Sequence, residues 1–61
     1  MKLMPRTFMI GERVKTTHPP GYTDATDIYG VVDRFEDWWV MVLMSKSGVV
    51  YPFMEWELEH A

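Results

Sequence analysis

Residues 38–53 read WWVMVLMSKSGVVYPF. An apolar run (38–44), a polar break containing a glycine (45–48) and a second apolar run (49–53) predict a β-hairpin. A strand with one dry face alternates apolar and polar residues, and the first arm does not. Trp38, Val40, Val42 and Met44 fall on one face, and Trp39, Met41 and Leu43 fall on the other. A chain of 61 residues has one core, so one of these faces is expected to meet something beyond it. One of the two tryptophans is expected in the core and the other against a partner.

Composition narrows what can stabilise so short a chain. A domain of about 60 residues buries roughly 60% of the surface its unfolded chain exposes. With no cysteine, disulfides and thiolate metal sites are excluded. A dense apolar core or oligomerisation is left, and a hydrophobic content of 48% with three Trp, three Tyr, three Phe and six Met suits both. The net charge of −3 argues against nucleic acid, whose binding rests on a basic excess. The one basic stripe to consider is Arg6, Arg13 and Lys15. Absent cysteines fit a cytoplasmic location. Pro5 and Arg6 interrupt the N-terminus, which does not read as a secretory signal, and no run approaches a membrane span.

Working outward from the hairpin, residues 1–8 read as an extended arm led by Pro5, and residues 9–61 as one domain. Phe8 and Ile10 are expected as first core contacts. A first strand is predicted over 12–17, with Val14 inward. Residues 18–27, HPPGYTDATD, form a long loop of turn-favouring residues. A second strand over 28–35 sets Ile28, Gly30, Val32 and Arg34 on one side, and Tyr29, Val31, Asp33 and Phe35 on the other. Gly30 inside it predicts a bulge, a bend or a close backbone approach. Glu36 and Asp37 read as a tight turn. Strands three and four are the hairpin arms, and Pro52, which has no N–H to donate, either ends the fourth strand or places it at an edge. A 3₁₀ turn over 54–56 and a short fifth strand over 57–59, with Leu58 inward, complete the chain. No long stretch keeps a helical apolar period. The fold class is therefore all-β: a five-stranded SH3-like barrel with a long loop after strand 1 and a 3₁₀ turn before the last strand.

Two family resemblances follow from these residues. From Thr7 to Glu59 the chain resembles the plasmid-borne type II dihydrofolate reductases. The carriers are Thr7, Phe8, Gly11, Arg13 and Val14, then the Gly30-Val31-Val32 strand, an aromatic-led third strand, and Tyr51-Pro52 followed by Leu58-Glu59. The resemblance implies an SH3-like subunit, a homotetramer with an active-site pore, and NADPH as cofactor. The family's Val-Gln-Ile-Tyr pore run corresponds here to Gly48, Val49, Val50 and Tyr51, so a valine stands where the family has its ligand-bonding glutamine. Thr16 stands where the family has a lysine that holds anionic groups. Lys15 is adjacent, on the opposite face. Under this alternative the pore positions are Val49, Val50, Tyr51 and Lys15.

The second resemblance, over about a third of the chain, is to peptide-binding SH3 domains. Glu36-Asp37-Trp38-Trp39 is similar to their acidic and tandem-tryptophan motif, and Tyr51-Pro52 with Trp56 to their last-turn proline and aromatic. It implies a groove lined by Trp38, Pro52, Trp56 and Tyr22.

Other chemistry finds little support. His18 and His60 lie far apart with no ligand-spaced partners. Asp24, Asp27 and Asp33 do not fit a calcium loop. The serines and threonines have no sequence-near base. The glutamates at 55, 57 and 59 read as a solvated edge. No catalytic residue, metal or cofactor is expected. The expected function is protein association, with a partner protein or with further copies of the chain, through Tyr22, Trp38, Trp39, Met41, Tyr51, Pro52 and Trp56.

Overall fold

The structure, a computed structural model, describes residues 7–17 and 26–61. Arg6, His18, Tyr22, Asp24 and residues 1–6 of the expected 1–8 arm lie outside the described residues. Five strands form one antiparallel sheet: β1 Arg13–Thr16, β2 Tyr29–Glu36, β3 Trp39–Met44, β4 Val50–Phe53 and β5 Leu58–His60, the last preceded by a 3₁₀ turn at Glu55–Glu57. The spatial order is β4-β3-β2-β1-β5. No ladder joins β4 to β5 among the described residues, so the sheet is open, with those strands as its edges. The all-β class, the five strands and the 3₁₀ turn before the last are as expected, and closure into a barrel is not seen among the described residues.

Alternation decides the core. Val14, Val32, Val40, Val42, Met44, Tyr51, Phe53 and Leu58 share the inner face and are buried together with Phe8. Each Val or Leu removed from water contributes about 1.5–3 kcal/mol. Ile10, expected beside Phe8, is instead 65% exposed; it sits in the turn ahead of β1, where Glu12 N–H donates to the Met9 carbonyl at 3.0 Å.

The β2–β3 ladder carries an irregularity. Val32 pairs with Val42 but Arg34 pairs with Met41, leaving Asp33 as the extra residue of a bulge. The bulge inverts the phase of β2, so Phe35 lies opposite Val40 and packs on the core, although strict alternation sets it with Tyr29 and Val31. Gly30 is the close approach of the alternatives its sequence allowed. A Cβ there would lie 2.5 Å from Val42 Cγ1 and 2.7 Å from the Leu43 carbonyl oxygen.

The expected Glu36-Asp37 turn is shifted by one residue. Glu36 pairs with Trp39, leaving Asp37 and Trp38 as the loop, with Asp37 at φ 55°, a conformation Asp tolerates better than most residues. Trp38 thereby leaves the strand and its inner phase. Neither it nor Trp39 is core, which corrects the expectation that one would be.

Short polar contacts fix the remaining connections. The buried Asp27 carboxylate accepts the N–H groups of Lys46 (2.9 Å) and Ser47 (3.1 Å). This pins the β3–β4 turn to the start of β2. The Thr16 hydroxyl donates to the Glu57 carbonyl at 3.2 Å, and Glu57 Oε1 accepts the Met54 N–H at 2.8 Å. Among the described residues no helix is long and apolar enough to cross a membrane.

Candidate functional site

The outer face of the sheet is the unusual surface. Register places Arg13, Val31, Leu43 and Val50 side by side across β1, β2, β3 and β4. The next row holds Arg34, Met41 and Pro52, and the row beyond it Glu36 and Trp39. Tyr29 lies one row the other way, opposite Lys15. Val31 is 37% exposed, Trp39 37% and Leu43 42%, and Met41 and Val50 are half-buried. Single exposed apolar residues need no explanation, but a contiguous set across three strands does.

The edges flanking this face are protected. Met44 N–H donates to the Val49 carbonyl, which sets the bonded β3–β4 pairs at Val42–Tyr51 and Val40–Phe53. Pro52 therefore turns its missing N–H to the outer edge, where it blunts strand addition. The other edge, β5, is three residues long with Glu59 and His60 exposed.

Charge is divided along the strands. Near Tyr29, the Arg13 guanidinium lies 5.3 Å and the Lys15 ammonium 6.0 Å from the ring centroid, within cation–π range. Neither cation forms an ion pair among the described residues. At the other end Arg34 bonds Glu36 through Nε and Asp33 through Nη1, both at 2.6 Å. Glu36, and then Asp33, raise the Arg34 pKa above its ordinary value. Two carboxylates around one guanidinium leave this end acidic, with Asp37 alongside.

A separate clasp ties the N-terminal side of β1 to β5. Glu12 bonds the His60 ring, and Phe8 stacks on that ring at 4.5 Å between centroids. The His60 contact and then the Met9 N–H lower the Glu12 pKa. Among the described residues no three His, Cys, Asp or Glu side chains are placed to hold a metal ion.

The residues expected to meet a partner are dispersed. Trp39, Met41 and Pro52 share the outer face. Trp38, in the β2–β3 turn, is 63% exposed, and Trp56, on the 3₁₀ turn, is 69% exposed. Tyr51 is buried on the inner face, so its ring is packing. Of the reductase-type positions, Val50 and Lys15 share the outer face but stand three strands apart, about 14 Å at ~4.8 Å per strand. Val49 lies before β4 and Thr16 is buried. Tyr29, Val31 and Leu43 were not singled out from sequence as binding residues, although alternation in β2 and β3 already set them outward.

Comparison with protein-family models, with curated proteins and with solved structures finds no match to this chain.

Proposed function

We propose that this chain is a small non-catalytic association module, an SH3-like barrel left open between β4 and β5, that binds protein through the outer face of β2, β3 and β4. The observation that carries the reading is the uninterrupted Val31–Leu43–Val50 row beside the Met41–Pro52 row, exposed on a sheet whose edges are blunted. Removing apolar surface from water contributes about 25 cal/mol per Å², and a specific interface commonly covers about 800 Å² per partner.

The test is Leu43→Glu. The side chain has no core contact to lose, so far-UV circular dichroism stays native while association, followed by sedimentation, is lost. A folded Leu43→Glu variant that keeps every association of the wild type sinks the reading.

The alternative is an NADPH-dependent dihydrofolate reductase of the type II kind, acting as a homotetramer. Lys15 and Val50 on one face support it, and the inward Tyr51 and Val49 in the glutamine's place oppose it. Measurable NADPH-dependent turnover of dihydrofolate at high protein concentration would replace the non-catalytic reading.

A further inference from the structure

From the charge pattern of the outer face we infer that its occupant is a second copy of this chain, stacked face to face with strands antiparallel about a twofold axis that crosses them. This rests on the outer face being the association surface.

Three observations select the arrangement. The edges disfavour growth by strand addition, because Pro52 withholds its donor on β4 and β5 is short and charged. Contact is then left to the face, where two sheets pack about 10 Å apart. That face is electrically polarised along its strands. Arg13 and Lys15 gather on Tyr29 at one end, with Glu59 opposite Lys15. Asp33 and Glu36 surround Arg34 at the other end.

A twofold axis along the strands would lay each end on its own kind, carboxylates over carboxylates. An axis across the strands, between the Val31–Leu43 row and the Arg34–Met41 row, lays Glu36 of one copy over Tyr29 of the other, with Lys15 beside it on β1. Symmetry makes that contact twice. The same rotation sets Met41 over Leu43, Pro52 over Val50 and the Arg34 side chain over Val31, so the apolar contact lies on β3 and β4 beside the charged one on β2. Such pairing fixes orientation more than affinity.

The experiment is a charge exchange on the full chain. Lys15→Glu sets an acid toward Glu36 of the other copy and Glu36→Lys sets a base toward Lys15 of the other copy, and both positions lie outside the core. Masses are read by sedimentation equilibrium up to about 100 µM, where an association weaker than roughly 10⁻⁴ M goes unseen. The wild type is expected as a dimer. Each single variant, native by circular dichroism, is expected to weaken it about tenfold, and an equimolar mixture of the two is expected to restore a 1:1 dimer. A monomeric wild type overturns this inference and leaves the association face to another protein. A dimer untouched by either reversal, or a mixture that stays monomeric, overturns the antiparallel pairing alone. A dimer that survives Leu43→Glu overturns both this inference and the association reading it rests on.

Discussion

Val42 and Leu43 are neighbours on one strand, similar in chemistry, and 1% and 42% exposed. The difference is phase. Val42 faces Val32 and Tyr51 inside the sheet, whereas Leu43 stands between Val31 and Val50 outside it. Hydrophobicity alone therefore does not say which residues hold this molecule together. The inner face converts its apolar area into folding free energy, while the outer face still holds its area in contact with water. Two sides of one small sheet thus divide the apolar residues that fold it from those left open to contact.

Five measurements would break or sharpen that division. The largest effect is expected at the inner face. Phe53→Ala should cost about 3–5 kcal/mol, enough to leave so small a domain mostly unfolded in urea titration; a loss below about 1 kcal/mol would mean the inner face is not the core. Gly30→Ala should cost about 1–3 kcal/mol by overpacking against Val42 and the Leu43 carbonyl, read as a lower urea midpoint.

Acid should act next. Ser47, ahead of the Lys46 and Ser47 N–H groups, depresses the pKa of Asp27, and His60 depresses that of Glu12. A carboxylate depressed in the folded state contributes stability above its unfolded value. That contribution is lost as pH falls from near 4.5 for Glu12 and 3.8 for Asp27 through the lower folded values. Glu12→Gln with Asp27→Asn should flatten the acid slope of the melting temperature, and an unchanged slope would refute the assignment.

The smallest effect belongs to the outer face. Leu43→Ala should shift stability by no more than about 0.5 kcal/mol at concentrations where the chain is monomeric. Since Trp38, Trp39 and Trp56 are all exposed, tryptophan emission of the monomer should be water-like and change little on unfolding. A strongly blue-shifted native spectrum at low concentration would contradict these placements.

Much of the inner face was legible in sequence, because period-two alternation and turn residues report directly on strands. Val14 and Leu58 lie where alternation sets them, and Pro52 lies on an edge strand. The errors fall where one residue changes the phase. The bulge at Asp33 turns Phe35 inward, and bulges leave no residue signature as firm as a hairpin glycine. Trp38 was expected in the third strand, but the turn took it and left it exposed. Ile10 was assigned by hydrophobicity in a segment with too little periodicity to fix a face. The apolar excess of the third strand did announce an exposed face. Its charged ends could not be read before register aligned Arg13 and Lys15 with Tyr29, because those residues are remote in the chain.

Two backbone contacts outside both faces have a practical consequence. The Thr16 N–H donates to the Ile28 carbonyl at 2.7 Å, and the Thr17 N–H to the Glu57 carbonyl at 2.9 Å. The first bond closes the connection between β1 and β2 at its base, and the second ties the end of β1 to the turn before β5. Loop-closure entropy grows slowly, about 0.6 kcal/mol for each doubling of length. Thr16 and Ile28 are thus fixed posts, and lengthening the connection between them should cost the sheet only this slow entropic increment.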